Sequence, residues 1–501
     1  MNELQLKNAV PKEYFSKIVI GCAVLLFLIA AAYCISQTAY SAFNEDETIY
    51  YIGAKLFAET NSVKSHSIIS ENVSPVFEAD WYGIFYPIFF GTIMKIVGTS
   101  CKAFIAINIG LYLLMIVMIS KSRWLTKNEK LALLAITLSS SSLLRYSFYF
   151  MPMIFNTLLA FILLICLFKI NEAFSKENTL RYKRAIAFYI LIVLICSLFR
   201  TTYIFWIIGI LPFSKGYQQF IRFTIISLIG ILIIVVYMKF FNAPAYAPNM
   251  MVITHLFQHN YLLFLKGMVT NVIQNILNGP FNYKDMPAGL ALGYYYTLLA
   301  PVYFTHRYMV KKRNNFLLAA SLVCLFSNVI TLFFYYLDPA LYLRFSVQLL
   351  FVNCFIMIYD KNMSTMSKQV TTVAFLISSV ITLTQLLNEF KTREKSAIAQ
   401  KNDFYMALDD LKKSMDDQPV TTVLIDRNLL TKYPSRELEM SLPYTRENKH
   451  IIRYTYNIKE KDPLELHHKL KIDYILSIDS LKNPNFIPSH SNNHYFLYKL
   501  R

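Results

Sequence analysis

Glycine is scarce in this chain, at 13 of 501 residues. Carriers that work by alternating access use glycine and proline to break helices in two related halves. With so little glycine and no visible internal repeat, that class fits poorly. Charge is also sparse. Charged residues make up 16% and hydrophobic residues 55%, and the mean hydropathy of +0.40 excludes a soluble protein of this length. The seven cysteines are Cys22, Cys34, Cys101, Cys166, Cys196, Cys324 and Cys354. Most fall in apolar runs and none forms a C-x-x-C pair. They read as small apolar residues, which argues against a disulfide framework or a zinc site. Low-complexity tracts are missing, and so is a soluble basic domain of the kind that binds nucleic acid.

What is present is a series of hydrophobic runs of about 18 or more residues, each long enough to cross roughly 30 Å of hydrocarbon as a helix. They lack the alternation of barrel strands, and lipid demands that backbone groups pair internally. The fold class is therefore a polytopic α-helical membrane protein. The net charge of +18 then reflects cytoplasmic loops rich in Lys and Arg. Anionic lipids or phosphate-bearing substrates suit that charge better than nucleic acid.

Lys7, Lys12 and Lys17 precede the first run, Ile18 to Ile35, and place the N-terminus in the cytoplasm. That run is longer than a signal core and Tyr33-Cys34 is a poor cleavage site, so it reads as an uncleaved span. Residues 39–102 form an outer loop. Within it Phe85 to Val97 is too short to span, and counting it would put Lys121, Arg123, Lys127 and Lys130 outside. It is expected to lie on the membrane as an interfacial helix. Further spans are expected at 103–120, 131–148, 152–170, 186–200, 202–214, 220–240, 288–305, 316–336, 340–358 and 370–387, with a loop near 242–286. That makes about eleven crossings. The spans would form one membrane domain, 1–387. The polar remainder, 388–501, reads as a small extracytoplasmic α/β domain, with a helix at Ala397 to Met415 and strands at Val420–Ile425, Tyr474–Ile478 and Tyr495–Tyr498.

The most informative local feature is acidic. Just after the first span the chain reads Asn44-Glu45-Asp46-Glu47. Carboxylates beside a bilayer bind a cation, exchange a proton or cap a helix. Asn44 is a good N-cap, and acids suit the first turn of a helix.

The pattern of an acid, Asp46-Glu47, two residues, Tyr50 and then a small amphipathic helix resembles the first outer loop of the GT-C superfamily of membrane glycosyltransferases. Protein mannosyltransferases and lipid A aminoarabinose transferases belong to that superfamily. Gly83-Ile84-Phe85-Tyr86-Pro87-Ile88-Phe89-Phe90-Gly91 is similar to its second interfacial element, although the usual preceding His is missing. Arg200, in Leu198-Phe199-Arg200-Thr201-Thr202, and Arg344, in Tyr342-Leu343-Arg344-Phe345, occupy positions where the family carries outer-face cations. The resemblance covers roughly residues 15–390.

It implies a GT-C-like fold and transfer of a sugar from a polyprenyl-phosphate-linked donor at the outer face of a bacterial inner membrane. The acceptor would be a cell-envelope glycan, lipid or lipopolysaccharide. O-antigen glucosyltransferases are similar in length, span count and acidic first loop. Asp46 would be the general base, Glu47 would orient substrate or tune Asp46, and Glu45 is a third candidate. Arg200 and Arg344 would hold the lipid phosphate. Arg145 lies near the outer end of its span without support from the resemblance. Burying an arginine in a span costs about 2.5–3.5 kcal/mol unless it snorkels, so all three are candidates.

Some members of the superfamily use a divalent cation and others need none. Glu45, Asp46 and Glu47 are the carboxylates that would hold one, and no dedicated metal site is expected. Asp80, Lys284 and Asp285 are further charges on the outer side, with no role assigned. His255 and His259 are spaced to share a helix face, a weak metal signal without a third ligand. The rival readings are a transporter or flippase of lipid-linked glycans and an O-antigen polymerase.

Overall fold

The computed structural model describes residues 45–63, 83–241, 258–277, 288–311, 314–334, 339–378, 420–426, 445–446, 449–456, 472–477, 486–491 and 496–500, with isolated residues between 21 and 32, at 252 and 255, between 380 and 388, and at 481 and 485. The helices in chain order are α1 (Glu45–Thr60), α2 (Phe85–Val97), α3 (Cys101–Lys121), α4 (Lys127–Ser139), α5 (Ser141–Ser147), α6 (Met153–Ser175) and α7 (Thr179–Phe199). A 3-10 helix follows (Thr201–Phe213), then α8 (Tyr217–Phe241), α9 (Tyr261–Leu277), α10 (Ala288–Lys311), α11 (Asn315–Phe334) and α12 (Pro339–Tyr359).

Local sequence sets the ends. Thr126 and Glu129 close a reciprocal capping box on α4, and Ser100 and Asn178 cap α3 and α7 through their side chains. With glycine so scarce, several helices stop on other residues in the left-handed region: Asn61, Glu177 and His259. Asn61 N–H closes on Phe57 O, and Asn260 N–H on His255 O, as helix-terminating turns do.

Five described helices are long and apolar enough to cross a membrane: Lys102–Lys121, Met153–Ser175, Thr179–Phe199, Tyr217–Tyr237 and Asn315–Phe334. The span within α6 is 72% buried and that within α8 only 22%, so α6 is central and α8 lies at the periphery of the helical core. Phe85–Val97 is a helix of the expected bounds, too short to be counted among the spans.

Three expectations need correction. The stretch 131–148 is broken at Ser140, whose hydroxyl caps the new helix α5; a local Ser–backbone bond competes with the continuing helix. The span expected at 186–200 begins at Thr179, because Arg181, Lys183 and Arg184 ride on its first turns with long stems. The loop near 242–286 contains α9, whose buried Asn271 and Asn275 donate to Phe333 O and Leu332 O at the C-terminal end of α11.

The span expected at 202–214 is the 3-10 helix. Thirteen residues reach about 26 Å at about 2.0 Å per residue, against about 20 Å as an α-helix. Stretched in this way, the short run reaches further than an α-helix of the same length would. A 3-10 helix bonds itself poorly, and neighbours compensate. Tyr189 Oη donates to Trp206 O (2.5 Å), Tyr182 Oη to Phe213 O (2.6 Å), and Tyr203 within it donates to Asn156 O.

The helical core has two ends. At one, α1, α2, the start of α6 and the end of α7 share a set of aromatic rings, with Phe199 against Phe85, Tyr86, Phe89 and Phe155. At the other, Trp124 packs on Phe168, Phe316, Phe355 and Tyr359. In the C-terminal part a six-stranded sheet runs in the order β2-β3-β1-β4-β6-β5, with β1 (Val420–Asp426), β2 (Thr445–Arg446), β3 (Lys449–Tyr456), β4 (Tyr474–Ser477), β5 (Phe486–Ser491) and β6 (Phe496–Leu500). β1 pairs in parallel with β3 and β4, and β6 runs antiparallel to β4. Three of the six strands were legible as apolar β-branched or aromatic runs; the helix expected at Ala397 to Met415 lies outside the described residues.

Candidate functional site

The site is built on α1 and α2. Glu45, Asp46 and Glu47 form the first turn of α1, and their side chains lie outside the described part of the structure. The rest of α1 is fixed closely. Tyr50 meets Tyr86 edge-on, Asn61 accepts from Lys95 Nζ, and Lys95 sits over the Phe57 ring at 4.9 Å. These contacts advance together along both chains, so α1 and α2 lie side by side in the same sense. Gly91 allows the approach: a Cβ there would stand 2.6 Å from Ala54 O and 2.9 Å from the Phe57 side chain. Lys95, which interrupts the apolar run of α2, thus ties that helix to Asn61, the residue that follows α1.

The pair is anchored to the membrane helices by polar contacts. Tyr86 is buried and its Oη donates to Asn156 Oδ1 at 2.7 Å. Burial pushes the Tyr86 phenol well above its ordinary value, and the nearby Arg200 guanidinium opposes that rise. The phenol is a proton donor at neutral pH. Asn156 also accepts from Tyr203 through its backbone oxygen, so one residue of α6 holds both α2 and the 3-10 helix. Its Nδ2 is buried without a hydrogen-bond partner among the described residues. Tyr51 Oη adds a bond to Thr99 O at 2.7 Å.

Arg200 stands at the junction of α7 and the 3-10 helix, in extended backbone geometry (φ −145, ψ 113). Its N–H bonds to Cys196 O, closing α7, and its own carbonyl accepts from Tyr203 N–H. The guanidinium is half-buried with Nη1 3.9 Å from Met153 Sδ. The turn between two short spans read from the sequence is therefore where Arg200 sits, and the structure brings it to the end that carries α1 and α2. Arg145 lies in α5, its Nε 2.8 Å from Tyr149 Oη and its guanidinium 5.4 Å from that ring's centre. The segment just after it touches α1, since Phe150 packs on Tyr51. Arg344 belongs to the second turn of α12, and its side chain lies outside the described residues. Asp80, Lys284 and Asp285 also lie outside them.

Asn156 and Gly91 were missed as site residues. A lone Asn in the apolar run Met153-Ile154-Phe155-Asn156 was the available signal, because a polar side chain inside a span usually bonds across helices. The histidine pair is corrected. His259 is in the left-handed region, ends a helical turn and faces Tyr261 Oη at 3.2 Å, so it does not share a helix face with His255. Among the described residues no group of three His, Cys, Asp or Glu is placed to hold a metal.

No family model matches the sequence, and no curated protein does. The architecture does match solved structures. The archaeal oligosaccharyltransferase AglB from Archaeoglobus fulgidus, solved with an inhibitory peptide and a dolichol-phosphate, superposes with a TM-score of 0.50 at 11% identity, over 93% of this chain and 69% of that one. The fold is GT-C-like. Two more distant similarities are the apo form of the A. fulgidus oligosaccharyltransferase (TM-score 0.47, 10% identity, 91% of this chain and 69% of that chain) and apo ArnT from Cupriavidus metallidurans (TM-score 0.41, 9%, 95% and 97%). The superposition on AglB meets the GT-C-like fold expected from the acidic loop, at the level of architecture.

Proposed function

We propose that the chain is an integral membrane glycosyltransferase that moves a sugar from a polyprenyl-phosphate-linked donor to a cell-envelope acceptor, at the face carrying α1 and α2. The acceptor would be a glycan, a lipid or a lipopolysaccharide O-antigen, and the membrane a bacterial inner membrane with that face outside and the C-terminal domain, 388–501, beside it. The observation that carries the reading is the α1–α2 pair. It opens on three consecutive acids and is pinned through Tyr86 and Asn156 to the junction that holds Arg200. The oligosaccharyltransferase of the same fold, solved with dolichol-phosphate, supports a lipid phosphate as the donor's handle.

The chemistry follows from the charges. Asp46 takes the proton of the acceptor hydroxyl as its oxygen bonds to the anomeric carbon. The bond from that carbon to the phosphate oxygen breaks, and the lipid phosphate leaves with the electron pair. Arg200 and Arg344, with Arg145 as a third candidate, stabilise the charge that develops on it. Glu47 orients the acceptor or keeps Asp46 ionised through their coupled titration, and Glu45 is an alternative partner. The three carboxylates are also the hard oxygen donors that would hold a divalent cation, should one assist the leaving phosphate.

The test is Asp46→Asn, which removes charge and keeps shape. Membranes holding equal amounts of either form are compared for transfer, alongside the envelope glycan profile of cells with and without the chain. Loss of transfer at normal expression supports the assignment; full activity of the variant refutes the base role. An unchanged glycan profile on deletion counts against the reaction as a whole, and a change in glycan export without change in linkage favours a flippase.

A further inference from the structure

At the end opposite α1 and α2, the C-terminal ends of α10 and α12 meet the start of α11 around a cavity of about 240 Å³. Arg307, Tyr308, Asn314, Tyr359, Lys361 and Asn362 line it, together with Asp360. Asp360 is 1% exposed and its carboxylate is engaged on both oxygens. Oδ2 accepts from Tyr308 Oη at 2.9 Å and lies 3.3 Å from Arg307 Nε, and Oδ1 accepts from Asn362 N–H at 2.9 Å. Arg307 is spread further, donating through Nη2 to Asn362 O (3.2 Å) and through Nη1 to Tyr303 Oη (3.0 Å).

Asp360, the only acid among the described lining residues, is therefore neutralised and held in place. Lys361 remains exposed in the turn, with no salt bridge among the described residues. Lys368 stands close by, its Nζ donating to Ile358 O at 2.6 Å; the carboxylates that act on it are Asp360 and Glu129, and Glu129 is bonded to Thr126 N–H. Asn314 spends its Oδ1 on the amides of Phe316 and Leu317, which leaves its amide as a donor. In sequence the connection that carries Asn314 begins Lys311-Lys312-Arg313. The wall thus offers the Tyr359 hydroxyl, the Asn314 amide and the Lys361 ammonium beside the Arg307–Asp360 pair, where helix ends emerge from the membrane, the setting in which basic pockets between helices take lipid head groups.

We propose that this cavity binds a phosphate-bearing anion, either the head group of an anionic phospholipid or free phosphate. It does so independently of the transfer site, and occupancy ties α10, α11 and α12 together. The test uses the full chain in phosphatidylcholine nanodiscs, titrated with phosphatidylglycerol or with inorganic phosphate. Binding is read by native mass spectrometry and by the shift in Tm. Lys361→Ala is compared with Lys176→Ala, a lysine paired with Glu172 at the far end of α6, outside the cavity.

Phosphatidylglycerol is expected to bind wild type and Lys176→Ala alike and to raise their Tm. Lys361→Ala should bind about fivefold more weakly, the worth of one cation near a charged head group. If inorganic phosphate alone reproduces the shift and Lys361→Ala weakens it, the ligand is the free anion and the site stands. Equal affinity in wild type and Lys361→Ala, or equal weakening in both variants, would overturn it.

Discussion

The Tyr86 hydroxyl donates to Asn156 Oδ1 at 2.7 Å, and through this bond the amphipathic α2 is fixed to the start of the central helix α6. Both groups are buried. Tyr86→Phe would leave a buried amide oxygen without a donor, a loss of about 1–3 kcal/mol. Asn156→Ala would strand the Tyr86 hydroxyl at a similar cost. Because each variant breaks the same bond, the double variant should be little worse than the poorer single one. Thermal unfolding of the four forms measures this; additive losses would show that the two groups are uncoupled.

Gly91 is where α1 and α2 touch. A methyl group there meets Ala54 O at 2.6 Å, a backbone atom that cannot swing aside. Gly91→Ala should therefore part the helices, at about 1–3 kcal/mol of overpacking strain. The acids at the head of α1 move with it. Transfer should fall more than stability does, since a displacement of about 1 Å at a reacting group can cost about a hundredfold in rate. Activity and Tm measured on the same preparation decide this. A variant as active as wild type would show that the spacing of α1 and α2 does not matter to the chemistry.

Gly209 lies in the 3-10 helix, with Tyr189 Oη 2.9 Å from the place of a Cβ. That hydroxyl is committed to Trp206 O at 2.5 Å. Gly209→Ala must push it off a buried carbonyl, and should destabilise by about 1–3 kcal/mol. Leu167 and Val323 are also near, at 3.2 Å each. Adding Tyr189→Phe removes the clashing oxygen, so the double variant should be more stable than the sum of the singles predicts. A strictly additive pair in denaturation midpoints would locate the strain in the aliphatic neighbours instead.

Much of this architecture was legible in the sequence because apolar length alone decides what crosses a membrane. The bounds of α2 followed from Phe85 to Val97 being too short to cross, and the place of Arg200 from the polar interruption between two apolar runs. What the sequence concealed depends on tertiary contacts. Hydropathy does not distinguish a 3-10 helix from an α-helix, so 202–214 read only as a short span; its pitch is supported by Tyr182 and Tyr189 from the neighbouring helix. The break at Ser140 hid within an apolar run, since a serine cap has the same composition as a serine in mid-helix. Likewise α9 read as loop because Asn271 and Asn275 look polar until their carbonyl partners on α11 are seen.

The strongest test of the proposed donor site concerns the arginines. A guanidinium grips a phosphate with two parallel bonds, whereas an ammonium offers a point charge. Arg344→Ala should weaken donor binding about 10- to 100-fold, the worth of about 1.5–3 kcal/mol for a charged hydrogen bond. Arg344→Lys should recover only part of it. Arg200→Ala should behave alike, with an added stability loss because the half-buried guanidinium packs beside Met153 and Tyr86. Titrating a polyprenyl-phosphate sugar against each variant separates the two contributions, since only the phosphate grip changes donor affinity. If both arginines hold one phosphate, the double variant should lose less than the product of the single losses. Unchanged donor affinity in both alanine variants would move the phosphate elsewhere, with Arg145 the next residue to test.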